Sequence, residues 1–306
     1  MSRARAVVCA YSSVGTAALE GLLESGVEVA ALFTYDQGTD ERWFTAPEAV
    51  ARAQGIPVHK AANFNDDAVF ATLCALRPDV LFSFYFREMI QARVLDLPPL
   101  GAYNLHGSLL PKYRGRAPLN WVLVKGETET GVSLHAMTPK PDDGHIVAQA
   151  RLDIAWDETA LSLTEKAATA SRGLVREAVP GILDGTAPRI DQKTLGPSTY
   201  FGGRKPADSR LDFAMTAQEA FNQIRAVADP WPNAFLETPA GSVKVAWALP
   251  SGEPCPPGHF RPTREGVLLG FVDGSLRLCA LKADGLRLER PSDQAGVLRI
   301  LGLPEA

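Results

Sequence analysis

Cysteine is scarce in this chain. Its 306 residues hold four, Cys9, Cys74, Cys255 and Cys279, and none belongs to a C-x-x-C pair. Scattered thiols of this kind exclude a disulfide framework and a cysteine-ligated zinc site, and they fit a protein of a reducing compartment, here the cytoplasm. Long apolar runs are missing too: nothing approaches the roughly 20 residues of a membrane helix, so membrane insertion is not expected. Met1-Ser2-Arg3-Ala4-Arg5 leads straight into Ala6–Ala10, a run of strand length with no small-residue cleavage site after it, unlike a secretory signal. Nor is there an excess of positive charge. The net charge of −4 and a pI near 5.8 weigh against a nucleic-acid partner. With 46% hydrophobic and 22% charged residues the composition is globular, and the length suits one large domain or two ordinary ones.

Several motifs are absent. The turn after the first apolar run reads Tyr11-Ser12-Ser13-Val14-Gly15, not G-x-G-x-x-G, and no G-x-x-x-x-G-K-[ST] occurs. A dinucleotide fingerprint and a P-loop are thereby excluded. The chain also lacks H-E-x-x-H and G-x-S-x-G, so zinc protease and hydrolase-elbow chemistry lose their support. No metal site is expected.

The first half alternates short apolar runs (Ala6–Ala10, Val27–Phe33, Ile56–Val58, Val80–Tyr85) with helical patterns (15–25, 47–54, 66–76). Such alternation predicts an α/β domain with a Rossmann-like, mostly parallel sheet, whose site lies at the carboxyl ends of the strands. Gly and Pro then punctuate a polar stretch from Asp184 to Arg210, read as a linker. A helix over 217–227 and short runs at 234–237, 242–249, 267–271, 275–281 and 286–288 predict a smaller β-rich domain, a small barrel or sandwich, of which an open, OB-like barrel is the form expected. The expected organisation is a catalytic domain over 1–190, a linker over 191–210 and a β-rich domain over 211–306.

The densest polar cluster runs from Asn104 to Pro118 and reads N-L-H-G-S-L-L-P-K-Y-R-G-R-A-P. Ala102–His106 alternates as a strand does, so Asn104 and His106 project from one face. An amide and an imidazole that share a face can hold a developing oxyanion and move a proton. The ordinary alternative is a polar pair satisfied by loop backbone. Against it stand the close-approach pair Gly107-Ser108 and two nearby cations, Arg114 and Arg116. Ser108 as a nucleophile is the lesser idea, since His106 is its one evident base. Asp142-Asp143-Gly144 falls in a turn between two strands, where Asp-Gly is common; a carboxylate there can also pair with His106. His135 alternates within an apolar strand and reads as structural. His145 adjoins the same turn, and His59 and His259 sit in loop-like surroundings without partners.

Asn104-Leu105-His106-Gly107-Ser108-Leu109-Leu110-Pro111 with Arg114-Gly115, followed by Asp142 and Gly144, resembles the 10-formyltetrahydrofolate-dependent formyltransferases, which include methionyl-tRNA and sugar N-formyltransferases. The resemblance extends over nearly the whole chain, through Arg225–Pro232 and the β-rich tail. In the stretches 82–86 and 103–135 it is nearest to the formyltransferase domain of bifunctional polymyxin-resistance enzymes, which formylates UDP-4-amino-4-deoxy-L-arabinose for lipid A modification. The decarboxylating dehydrogenase domain of those enzymes is not in this sequence, so the expectation is either a stand-alone formyltransferase with a separate dehydrogenase partner or a domain excised from a longer chain. The resemblance implies that Asn104 stabilises the oxyanion, that His106 is the acid/base, and that Asp142 raises the pKa of that histidine. For the folate co-substrate it implies Glu88, Met89 and Ile90, Arg116, and the loop of Thr138, Pro139, Lys140, Pro141 and Asp142.

The acceptor is read from charge. Transfer-RNA formylating relatives carry a basic loop after the second strand; here Tyr35–Phe44 is short and acidic. The tail from Ala207 to Ala306 holds 10 Lys and Arg against 12 Asp and Glu. Both features favour a small nucleotide sugar over transfer RNA. Arg114, Tyr200, Arg204 and Arg225 are the candidates for its diphosphate and base, with linker and helix surface as their ordinary alternative.

Overall fold

The computed structural model describes residues 3–38, 41–60, 63–238, 241–283, 286–288 and 294–302. Thr39 and Asp40 of the acidic loop lie outside the described residues, as do 239–240, 284–285, 289–293 and 303–306 of the β-rich tail. The chain divides into two compact units. One comprises Met1–Leu119, Glu129–Ile154 and Leu163–Gly202; the other comprises Asn120–Thr128, Ala155–Ser162 and Gly203–Ala306.

In the first unit β1 (Arg5–Ala10), α1 (Ser12–Glu24), β2 (Glu28–Thr34), α2 (Pro47–Ala53), β3 (Val58–Lys60), α3 (Asp67–Leu76), β4 (Val80–Phe84), α4 (Ala92–Leu95) and β5 (Ala102–His106) follow in order. Strands β1 to β5 are parallel neighbours in the order β3-β2-β1-β4-β5. The order reverses between β1 and β4, which opens a crevice at their carboxyl ends. All five residues of β4 are buried, as a strand covered on both faces must be.

The parallel pattern then stops. After the short β6 (Arg114–Gly115) and α5 (Pro118–Val124), the long strands β7 (Glu129–Ala136) and β8 (Ile146–Asp153) extend the sheet as an antiparallel hairpin, β5-β7-β8. The reason is the connection. The segment between β5 and β7, which carries β6 and the short helix α5, does not bring the chain back to the end of the sheet where β5 began, so β7 runs in the opposite direction.

Helix α6 (Ala160–Asp184) has no counterpart in the apolar periodicity described above. Its buried stripe is Leu163, Ala167, Ser171, Val175, Val179 and Ile182, about one turn apart. Alanine and serine in that stripe mute the hydrophobic signal while serving close packing. A Cβ on Gly21 of α1 would lie 2.2 Å from the Arg172 carbonyl oxygen of α6. Arg172 also pairs with Glu20 and Glu24 of α1.

The segment expected as a linker is ordered by hydrogen bonds. A 3-10 turn spans Gln192–Leu195, and β9 (Tyr200–Phe201) pairs in parallel with β6.

The second unit holds α7 (Ala217–Ala226), capped by a Thr216–Glu219 capping box. Six antiparallel strands follow: β10 (Ala234–Thr238), β11 (Gly241–Ser251), β12 (Phe260–Thr263), β13 (Gly266–Gly270), β14 (Ser275–Ala283) and β15 (Leu286–Leu288). They run in the order β10-β11-β14-β13-β12, with β15 on β14; no ladder joins β10 to β12 among the described residues. Helix α8 (Gln294–Leu301) contributes Val297, Ile300 and Leu301 to a core that includes Phe221, Ile224, Val245 and Phe271. No helix among the described residues is long and apolar enough to cross a membrane.

Candidate active site

Strand alternation puts Asn104 and His106 on one face of β5, and register adds to them. Asn104 lies opposite His135 of β7, and His106 lies opposite Ser133. Directly opposite residues share a face, so four polar side chains gather there. The Ser133 hydroxyl donates to the Ser108 carbonyl (2.6 Å) and accepts from Leu110 N–H (3.1 Å) and Gln149 (2.7 Å), which anchors the loop leaving β5. Ser108 is fully buried and its hydroxyl donates to the Lys112 carbonyl at 2.7 Å. That bond takes it out of the running as a nucleophile.

Asp142 enters from the β7–β8 turn with a φ of 51°, the left-handed region that a non-glycine residue seldom adopts. Its Oδ1 lies 3.6 Å from His106 Nδ1 and 3.5 Å from His135 Nε2, and its Oδ2 accepts the Gly115 N–H at 2.8 Å. Gly115 has a φ of 97°, and a Cβ there would sit 2.1 Å from the Phe201 carbonyl oxygen, so this position admits only glycine. Tyr85, Tyr113 and Ala117 are also left-handed. Such conformations persist where surrounding contacts over-determine them, as at functional sites.

The surroundings of Asp142 form a clasp. Arg114, only 9% exposed, donates from Nη1 to Asp143 at 2.5 Å and from Nη2 to the Gln192 side-chain oxygen at 2.7 Å. Gln192 in turn donates to the carbonyls of Asp142 (2.9 Å) and Gly144 (2.7 Å). Lys140 adds a contact to Asp143 at 3.1 Å. The Arg114 guanidinium grips the Asp142 turn from inside the protein. Asp143, whose part the sequence did not indicate, anchors that grip, and Gln192 had no sequence signal at all.

The electrostatics are uneven across the pair. Burial holds the His106 imidazole below its ordinary 6.5; the Asp142 carboxylate and the Tyr113 carbonyl pull it upward without overcoming desolvation. Asp142 thus acts on this histidine in the expected direction, upward, while burial sets the net direction downward. For Asp142, burial pushes upward, but His135, His106 and the Gly115 N–H outweigh it and bring the carboxyl to about 2. Asp142 is therefore an anion and His106 a neutral base near neutral pH. The Nε2 of His106 lies 2.7 Å from the Tyr113 carbonyl, which can only accept. The ring proton is on Nε2, and the basic Nδ1 faces the carboxylate. Such an arrangement offers an amide donor for a developing oxyanion, a nitrogen that takes up a proton, and a charge that stabilises the resulting imidazolium.

The residues expected around a folate follow β4, β6 and β7. Glu88 is a strut: it accepts from the Phe64 N–H at 2.8 Å and from Tyr35 at 3.2 Å. Met89 is exposed, with its carbonyl held by Asn65 at 2.8 Å, and Ile90 is buried in the core. Arg116 is exposed and donates to the Arg87 carbonyl at 3.3 Å. Thr138 donates to the Lys140 carbonyl at 2.8 Å; Pro139 is exposed and Pro141 half-buried.

Of the candidates for the acceptor, Tyr200 in the first unit is 64% exposed. In the second unit Arg204 stacks over Trp121 with its guanidinium carbon 4.9 Å from the ring centre, and bonds Gln223 and the Asp208 carbonyl at 3.1 Å each. Arg225 is engaged within the second unit. It is buried and donates to Asn222 (2.9 Å) and to the carbonyls of Ala155 and Glu158, a bracing role inside its own unit. His135, read from sequence as structural, stands instead among the site residues, because β-pairing puts it opposite Asn104. Among the described residues, no group of His, Cys, Asp or Glu is arranged to hold a metal ion.

Comparison with known proteins follows the same lines. A model of the formyl transferase family matches residues 6–179, and a model of the formyl transferase C-terminal domain matches residues 204–293. Among solved structures, the N-formyltransferase from Helicobacter canadensis in complex with folinic acid and dTDP-3-aminofucose is similar in fold. It has 19% identity and a TM-score of 0.68, over 90% of this chain and 98% of that one. WlaRD, a sugar 3N-formyltransferase solved with dTDP and 5-N-formyl-THF, matches with 18% identity and a TM-score of 0.67 over 90% and 97% of the two chains. HypX from Aquifex aeolicus, at 18% identity and a TM-score of 0.67, covers all of this chain, which spans only 49% of HypX.

Proposed function

The chain belongs to the formyl transferase family and is a formyl-transferring enzyme, and from that premise we propose that it transfers the formyl group of 10-formyltetrahydrofolate to the amine of a nucleotide-linked amino sugar. The observation that carries this reading is the Asp142 oxygen facing the unprotonated Nδ1 of His106 on the face that also bears Asn104. Bound formyl folate would supply an activated one-carbon carbonyl. Arg116, an exposed cation, suits its carboxylate tail, and Glu88, Met89, Ile90 and the 138–142 loop are the proposed remainder of its seat. When an amine attacks that carbonyl, Asn104 donates to the oxyanion. His106 accepts the amine proton on Nδ1 while Asp142 stabilises the imidazolium, and His106 then returns the proton to the departing folate nitrogen. Loss of a single oxyanion donor typically costs on the order of 10²–10³ in rate.

For the acceptor, the acidic balance of the tail supports a small molecule over transfer RNA. The similarity to enzymes solved with dTDP or a dTDP-amino sugar points the same way. Tyr200, exposed in the first unit, is the proposed contact for the base. Within this class we take UDP-4-amino-4-deoxy-L-arabinose first, on the sequence resemblance over 82–86 and 103–135.

The test is an acceptor competition. The protein and 10-formyltetrahydrofolate are incubated with UDP-4-amino-4-deoxy-L-arabinose, with dTDP-3-aminofucose, with initiator methionyl-tRNA, or with no acceptor, and tetrahydrofolate release is followed. Turnover with the UDP sugar, abolished in His106→Ala, establishes the reading. Turnover with dTDP-3-aminofucose alone keeps the sugar class and moves the sugar. Turnover with transfer RNA alone overturns the acceptor, and release without an acceptor makes the enzyme a formyl-folate hydrolase.

A further inference from the structure

His135 lies in the middle of the site, yet neither half of the proton transfer uses it. It is 2% exposed. The β7–β8 ladder shifts register between Leu134 and His135, the kind of bulge that re-aims a side chain. Its Nδ1 lies 2.9 Å from the carbonyl oxygen of Ala136. A carbonyl can only accept, so Nδ1 carries the ring proton. In the neutral ring Nε2 then offers a lone pair, and the group it meets at 3.1 Å is the Asn104 side-chain nitrogen.

The consequence falls on Asn104. A side-chain amide has two faces related by a flip, one presenting N–H donors and the other a carbonyl oxygen. In an oxyanion site the flipped amide would oppose the developing negative charge. A lone pair at His135 Nε2 selects the orientation with the NH₂ group beside it. One N–H is held by His135, and no other hydrogen bond engages the second among the described residues. The opposite tautomer would reverse this. An Nε2–H would donate to Asp142 and turn the Asn104 oxygen inward.

We propose that His135 is the positioning residue of this site, holding the Asn104 amide in its donor orientation through an unprotonated Nε2 that the Ala136 carbonyl enforces. The proposal rests on the formyl-transfer reading for its catalytic consequence, but its structural content is independent of any substrate.

Two measurements test it. The first is a two-bond proton–nitrogen spectrum of the full chain labelled with ¹⁵N-histidine, at neutral pH and without ligand. His135 is expected to show a protonated Nδ1 and an unprotonated Nε2; a protonated Nε2 overturns the proposal. The second is kinetic. His135→Met keeps bulk and removes the acceptor; His135→Gln keeps an acceptor. For His135→Met, kcat is expected to fall about 10- to 100-fold with KM for 10-formyltetrahydrofolate nearly unchanged. His135→Gln should recover most of that loss. In an Asn104→Ala background the Met substitution should cost less than about twofold, because the group it positions is gone. Equal losses in both backgrounds, or a Gln variant no better than Met, overturn the proposal. If the Met variant does not fold, the Gln variant and the spectrum decide. A chain that transfers no formyl group overturns the reading under which Asn104 needs positioning, while the spectrum still judges the tautomer.

Discussion

His106 sits where two opposing effects meet, and their balance is testable. Burial disfavours the imidazolium, while Asp142 favours it, and burial prevails. The His106 ring should therefore titrate below 6.5 in a histidine-resolved NMR titration. In Asp142→Asn that titration should move lower still, because the favourable charge is lost and the desolvation stays. The same groups link stability to acid. His106 and Asp142 both have folded values below their ordinary ones. Their contribution is thus complete at high pH. It is lost as pH falls, for His106 from 6.5 downward and for Asp142 between 3.8 and about 2. Thermal melts across that range should show Tm falling with acidification, and the lowest part of the fall should flatten in Asp142→Asn.

At the scale of elements, the β7–β8 hairpin and its clasp decide whether Asp142 reaches the histidines. A Cβ on Gly144 would lie 1.9 Å from the Ala136 carbonyl oxygen, a contact of backbone with backbone that no rotamer relieves. Gly144→Ala should cost about 1–3 kcal/mol by denaturant unfolding and lower activity more than a distant substitution of equal stability cost. Arg114→Met removes the clasp from the other side. It leaves the buried Gln192 oxygen unsatisfied, which costs about 1–3 kcal/mol; Asp143 is better exposed and adds little. The expected signature is a loss of kcat with a modest drop in Tm. A loss confined to KM for the nucleotide sugar would instead restore Arg114 to the acceptor.

At the scale of the whole molecule, each unit has its own core, and the thiols report on both. All four cysteines are free: Cys9 and Cys255 are buried, Cys279 is partly covered and Cys74 is exposed. Burial also raises the thiols of Cys9, Cys255 and Cys279. A thiol reagent should titrate Cys74 quickly in the native protein and all four after denaturation, and reductant should leave Tm unchanged. In the second unit Phe221 is almost fully buried, against Trp247 and beneath Trp156. Phe221→Ala should destabilise that unit by about 3–5 kcal/mol, read by tryptophan fluorescence during denaturant unfolding.

Much of this was legible in the residues themselves. Local apolar runs bounded by Gly and Pro were enough for β1 to β4 and for the strands of the tail other than β12, because those signals act over a few neighbours. Asn104 and His106 were legible as a pair because strand alternation is a local rule. The direction of β7, the packing of α6 and the membership of His135 were not, since each depends on which distant segment lies alongside. His135 alternates like any core residue until β-pairing puts it opposite Asn104. Asp143 and Gln192 close around Arg114 from distant parts of the chain, a pairing that no local pattern announces. The sequence by itself determined the chemistry available, an amide, an imidazole and a carboxylate on a strand and a turn. Only the tertiary structure decided their protonation and orientation, because desolvation and hydrogen-bond geometry arise between segments that the chain order keeps apart.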